Sequence, residues 1–197
     1  MKILKKVFFS ILILLIFTNS SWAKSASEFI SSLTNETSII LSSKLSDDEK
    51  IVRLKEIGEK SVDIVGIGFY TLGKHRKTLT DSQKEQYKEL FRNYFLKSFS
   101  GRLVGYTDAK ITVLSEEIKN EKYTIVFSKL IGTADRPEVK IDWRVYTKDP
   151  ENPLIRDLVI EGLSLARTQK EEFNSIIVNN DGSIEALFDN LNKFLEN

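Results

Sequence analysis

From Val139 to Tyr146 apolar and polar residues alternate without a break: Val139, Ile141, Trp143 and Val145 against Lys140, Asp142, Arg144 and Tyr146. Successive side chains on a strand point to opposite faces, so this segment reads as a strand with one face buried and one face wet. Three neighbouring stretches carry the same β-branched and aromatic bias: KITVL from Lys110, YTIVFSKLIG from Tyr123, and Ile155 to about Glu161. The turns between them, EEIKNE, TADRPE and TKDPENP, are polar and short. Short turns pair consecutive strands side by side, which predicts a four-stranded antiparallel meander.

A sheet with one apolar face needs a cover, and the rest of the chain supplies helices. Ser25 with Glu28, Ser46 with Glu49 and Thr80 with Gln83 each have the spacing of a capping box, and an apolar periodic run follows each of them. A third helix is expected from about Val62 to Leu72, stopped by Gly73. Thr80 opens the longest helix, on which Tyr87, Leu90, Phe91, Tyr94, Phe95 and Phe99 form a wide aromatic stripe of the kind that fills a core. Thr168 with Glu171 is read as the cap of a helix carrying Phe173, Ile176 and Ile177, and a last amphipathic helix runs from Ile184 through Phe194. No internal repeat or linker divides the chain. The expected fold is therefore α+β, with a four-stranded antiparallel sheet packed on a bundle of helices.

The first 23 residues stand apart. Three lysines precede an apolar run from Val7 to Phe17, and Ser21-Trp22-Ala23 supplies a small-x-small ending, the pattern of a secretory leader cleaved after Ala23. The run is about a dozen residues, shorter than the roughly 18 to 20 of a spanning helix, and an uncleaved anchor is the weaker alternative. Residues 24–197 would then form one domain. The leader holds three of the 29 Lys and Arg and none of the 28 Asp and Glu, so the remainder carries a small negative charge. Such a chain is not built to neutralise phosphates in bulk, and nucleic acid is not expected as a partner. The absence of cysteine excludes disulfides, thiolate metal sites, a cysteine nucleophile and a lipidated N-terminus.

A search for catalytic chemistry yields little. The one histidine, His75, sits in the basic stretch KHRK; no HExxH, GxSxG, P-loop or GxGxxG pattern occurs, and GIG at Gly66 to Gly68 lies inside a helical pattern. Asp157 and Glu161, four apart on a strand, would share a sheet face and are a possible carboxylate pair for acid and base work. Their plainer reading is a place on the wet face or in bonds to neighbouring side chains. No metal site and no cofactor is expected.

LGKHRKTLTDSQKEQYKELFRNYFLKSFSGRL, followed by strands, VKIDWRVY, and then DLVIEGLSLARTQKEEFNSII resembles the MlaC family, also called the toluene-tolerance family, of periplasmic phospholipid-binding proteins. The specific pieces are Asp157, Glu161, Gly162 and Ser164 in D-x-x-x-E-G-x-S, with Thr168 and Phe173 after them, and Leu72-Gly73 ahead of a basic cluster and a Thr-initiated helix. Arg76 stands where the family commonly has an aromatic residue, and Pro153 where a tryptophan often precedes the last strand. The resemblance implies an apolar lipid cavity enclosed between sheet and helices. It also implies a periplasmic carrier that takes phospholipid between an outer-membrane lipoprotein complex and an inner-membrane ABC transporter complex. The candidates for the lipid wall are Phe69, Leu72, Phe95, Leu103, Tyr106, Phe127, Trp143, Leu163 and Leu165. Lys74, Arg76, Lys77 and Lys140 are the candidates for contact with a headgroup or an acidic partner. A closed-core periplasmic adaptor or chaperone, and a small enzyme using Asp157 or Glu161, remain the alternatives.

Overall fold

The computed structural model describes residues 25–106, 110–132 and 137–197; the expected leader and the first four residues of the TADRPE turn lie outside them. Six α-helices and five strands are present among the described residues. Helix α1 spans Ala26–Ser42, α2 Asp47–Ser61, α3 Ile64–Thr71 and α4 Asp81–Leu103, with a 3-10 turn at Gly73–Lys77 between the last two. The strands are β1 (Ile111–Asn120), β2 (Tyr123–Leu130), β3 (Val139–Tyr146), β4 (Leu154–Ile160) and β5 (Leu163–Ser164), followed by α5 (Leu165–Val178) and α6 (Ile184–Glu196).

Local chemistry sets the helix starts. At Ser25, Ser46 and Thr80 the side chain accepts the backbone N–H three residues on, and Glu28, Glu49 or Gln83 returns a bond to the cap N–H. Asp63 opens α3 by accepting from Gly66 N at 2.9 Å. Helix α3 is therefore shorter than expected, because Val62 leaves the helical path to bridge Ile155 on β4. Gly73 ends this region with φ +55°, a left-handed value that glycine adopts without strain. Helix α5 begins at Leu165, ahead of the expected Thr168. Ser164 is its cap, accepting from Arg167 N at 3.1 Å, while the Thr168 hydroxyl donates back to the Ser164 carbonyl inside the first turn.

The sheet has the order β1-β2-β3-β4-β5, every pairing antiparallel. The short fifth strand follows a two-residue reversal at Glu161 and Gly162, with φ of +48° and +83°. Positive φ at both central residues is the geometry of a hairpin turn matched to strand twist. Strand β1 is longer than its apolar start suggested and takes in most of EEIKNE. Two register shifts let it stay paired with β2, and the connection shrinks to Glu121 and Lys122, with Asn120 Oδ1 accepting from Lys122 N. The two outer edges differ. Beyond β4 lie Val62, whose neighbour Asp63 donates its N–H to the Ile155 carbonyl at 2.9 Å, and then β5. Beyond β1 no strand is paired among the described residues.

The strict alternation in β3 is realised. Ile141, Trp143 and Val145 are buried, and across the sheet Val126, Trp143 and Leu158 stand opposite one another. Helix α1 lies on β1 and β2, while α2, α3 and α5 approach β4 and α4 packs among α2, α3 and α6. The aromatic stripe of α4 forms the centre of the helical layer. Tyr87 and Phe91 are almost fully buried, Phe91 meets Phe173 of α5 edge-on at 6.2 Å, and Tyr87 stacks on Phe188 of α6 at 6.1 Å.

Helix α3 reaches this stripe through a glycine. A Cβ on Gly68 would sit 2.8 Å from Cδ1 of the Phe91 ring, which is itself held on several sides. Gly68→Ala should therefore destabilise the fold by about 1 to 2 kcal/mol, because overpacking costs about 1 to 3 kcal/mol and improved helix propensity returns up to about 1. Chemical denaturation of the variant checks this.

Candidate functional site

Two polar nodes fasten the sheet to the helices, both built on β4. Register shifts between β3 and β4 at Arg144/Val145, leaving Arg156 without a partner on β3. Its guanidinium lies 3.7 Å from the centroid of the Tyr146 ring, and Nη1 donates to the Tyr123 hydroxyl. Arg156 Nε donates to Asp63 Oδ2 at 2.6 Å, so the carboxylate that caps α3 also holds the sheet. Burial pulls the Arg156 pKa down, but the bonds to Tyr123 and Asp63 outweigh it and raise the group above its ordinary value. The guanidinium stays charged, and stacking on an aromatic face suits it better than it would an ammonium.

The second node is Asp157. Its side chain is 6% exposed and accepts three bonds, from Arg144 Nη1 at 3.0 Å, Ser164 Oγ at 2.6 Å and Ala166 N at 3.0 Å. One carboxylate thus joins β3, β5 and the first turn of α5. The reading of Asp157 and Glu161 as a pair on one face does not hold. Strand β4 ends at Ile160, and Glu161 enters the reversal with positive φ and stands exposed, accepting from the Lys140 N–H. Asp157 is bound on both oxygens and tied into the frame.

The candidate lipid-wall residues fall into four groups. Leu72 and Trp143 belong to the buried cluster between sheet and helices, with half-buried Phe69 and Phe95 packed against it. The Trp143 indole N–H donates to Ser128 Oγ at 2.8 Å, and that hydroxyl donates to the Ile141 carbonyl, so the ring is seated without an unpaired polar atom. Leu103 is half-buried at the C-terminal end of α4. Phe127 pairs with Asp142 and so lies on the sheet face opposite to Trp143. Tyr106, Leu163 and Leu165 are exposed, at 42%, 59% and 41%. The end of the sheet where Leu163 lies also carries Lys140, whose carbonyl accepts from Glu161 N, and Ile131, whose N–H donates to the Lys110 carbonyl at the start of β1.

Residues not singled out by the sequence also line the boundary between the layers. Ile67, Ile111, Val113, Leu130, Val139 and Leu158 are only partly buried against the central cluster. The strand members could have been found by extending the β3 alternation through the register of its neighbours. A groove of about 230 Å³ lies between α1 and α2, floored by Phe29, Leu33, Ile40 and Ile57 and flanked by Arg53 and Lys60. A wider and more polar groove runs between α5 and α6 past Glu172, Asn179 and Lys193. Among the described residues no cluster of three His, Asp or Glu side chains is placed to hold a metal ion, and no helix is long and apolar enough to cross a membrane.

The basic candidates separate. Lys74, Arg76 and Lys77 are exposed on the 3-10 turn that precedes α4, whereas Leu103 and Tyr106 lie at the end of α4. The turn lies against α5, with Gly73 packed on the stem of Lys170, five residues from Leu165. His75 is not simply solvated, because its Nε2 bonds to Asn174 Oδ1 of α5 at 3.0 Å.

An antiparallel meander with helices on one face, pinned along β4 and apolar between its layers, defines a two-layer α+β domain. The family model described as MlaC protein matches residues 27–193, and the chain belongs to that family. Among solved structures, a phospholipid-binding protein from Ralstonia solanacearum, determined in complex with a phospholipid, shares the fold with a TM-score of 0.72. It is 16% identical, and the alignment covers 88% of this chain and 98% of that one. No curated protein sequence matches.

Proposed function

We propose that this chain is a periplasmic phospholipid carrier. In this reading it is exported by a leader cleaved after Ala23 and shuttles lipid between an outer-membrane lipoprotein complex and an inner-membrane ABC transporter, maintaining outer-membrane lipid asymmetry. The observation that carries the reading is membership of the MlaC family over residues 27–193, joined to a fold shared with a protein solved around a phospholipid. The interior agrees with it. Phe69, Phe95, Trp143 and Leu158 present apolar surface between two layers that are stitched together along β4, and acyl chains would lie between those layers. Half-buried Leu103 and exposed Tyr106, Leu163 and Leu165 would form the rim, with Lys140 beside it for a headgroup phosphate. At roughly 0.8 kcal/mol per buried methylene, two long chains contribute on the order of 20 kcal/mol before entropic costs, enough to balance extraction from a membrane without nucleotide hydrolysis in the carrier.

The test is native mass spectrometry of the exported protein, followed by organic extraction. Diacyl phospholipid should leave the protein intact and non-covalently, and the stripped protein should reload from liposomes. Lipid-free protein that takes up nothing from liposomes would instead favour a closed-core adaptor.

A further inference from the structure

One hydroxyl stands in the row of side chains that the second half of β2 turns toward the helices. Val126, Ser128 and Leu130 share that face, with Trp143 opposite Val126 and Ile141 opposite Ser128 on β3. Ser128 is only 2% exposed, and a hydroxyl so placed is costly unless its bonds are made. Both are made. Ser128 Oγ accepts the Trp143 indole N–H at 2.8 Å and donates to the Ile141 carbonyl at 3.0 Å, so the three groups form one relay across β2 and β3. The indole ring has a single polar group, a donor. With that donor engaged within the sheet, the rest of the Trp143 ring offers only hydrocarbon to the space between the layers. Val126 and Leu158, its cross-strand neighbours on the same face, are apolar as well.

We propose that Ser128 is a positioning residue for lipid, acting through Trp143: it keeps the indole N–H away from the acyl chains and leaves the hydrocarbon of the ring to meet them. This rests on the carrier reading and deepens it by naming the residue that makes this stretch of the wall wholly apolar. The effect of the hydroxyl depends on occupancy. In the lipid-free protein, water entering between the layers can accept from an indole N–H that has lost Ser128. Acyl chains accept nothing, so in the loaded protein the same N–H stays unpaired, and a buried unpaired donor is costly. Removing the hydroxyl is therefore felt mainly as loss of lipid, which a serine serving the fold alone would not produce.

The experiment uses the full exported chain, which in the carrier reading begins at Lys24 and so holds Trp143 as its one tryptophan. Loading wild type from vesicles of phosphatidylcholine brominated on its acyl chains should quench the tryptophan fluorescence, because the bromines reach the ring. Ser128→Ala should weaken lipid uptake by about tenfold. Its lipid-free form should emit at longer wavelength than wild type, as water takes the indole N–H, and should melt within about 4 °C of it. Trp143→Phe carries no donor, so adding Ser128→Ala in that background should change uptake by less than about twofold, which separates a role through the indole from a general loss of packing. Wild type that takes up brominated lipid without quenching overturns the proposal and leaves the carrier reading intact. Equal uptake by Ser128→Ala and wild type overturns it too, as does a tenfold loss on adding Ser128→Ala to Trp143→Phe. Wild type that takes up no lipid at all overturns the carrier reading and this proposal with it.

Discussion

Asp157→Ala is expected to lower stability by about 3 kcal/mol, or about 6 to 12 °C in Tm for a domain of this size. The loss does not come mainly from the ion pair. Arg144 is 48% exposed on its side chain and returns to water once its partner is gone. The cost falls on Ser164 Oγ and Ala166 N, both in buried residues, which lose their acceptor at the point where β5 becomes α5. Asp157→Asn keeps one oxygen for the Ala166 N–H and should cost about half as much, because its amide still meets the Ser164 hydroxyl but opposes Arg144 donor to donor. Thermal melting of the two variants tests this ordering. Equal melting of Asp157→Ala and wild type would mean that the node is dispensable.

The second large effect concerns the rim. Leu163→Glu should leave the melting temperature within about 1 °C of wild type, since the side chain is already 59% exposed and the new carboxylate stays in water. Bound lipid should nevertheless fall by at least about tenfold, because a charge at the mouth would be forced against acyl chains at a cost of several kcal/mol. Leu163→Met, which keeps the apolar surface, should retain lipid. Full lipid occupancy in Leu163→Glu would place the mouth elsewhere, most directly along the layer boundary at Val113 and Leu130. Glu161→Gln, one reversal away, is expected to keep its lipid.

Features that depend on nearby residues were legible in the sequence. Each capping box and the stop at Gly73 are decided by residues within a few positions, and the β3 alternation needed only the strand period. What escaped depends on distance along the chain. Arg156 and Asp63 are 93 positions apart and meet only because Val62 abandons its helix to bridge Ile155. The Thr168 cap was misplaced for a related reason: Ser164 carries no Glu three residues on, and its role is fixed by Asp157 across the hairpin. The second half of β1 is mostly exposed, so no apolar period marked it. The candidate wall was legible where it coincides with the core, at Leu72 and Trp143. It was obscure at Phe127, whose face is set by register rather than by its own neighbours.

The open edge of β1 bears on how the protein behaves in a crowded compartment. Ten residues with no strand on their outer side among the described residues would ordinarily invite a second copy to add on and the sheet to grow into an aggregate. Here the edge is bulged at two points, and its middle carries Glu116 and Glu117, so an antiparallel copy centred on this strand would set like charges against each other. Among the described residues the most exposed large apolar side chain, Ile118 at 72%, sits beside the second bulge, where a straight partner strand fits poorly. The same irregularities that interrupt the pairing of β1 with β2 therefore disfavour edge-to-edge growth of the sheet.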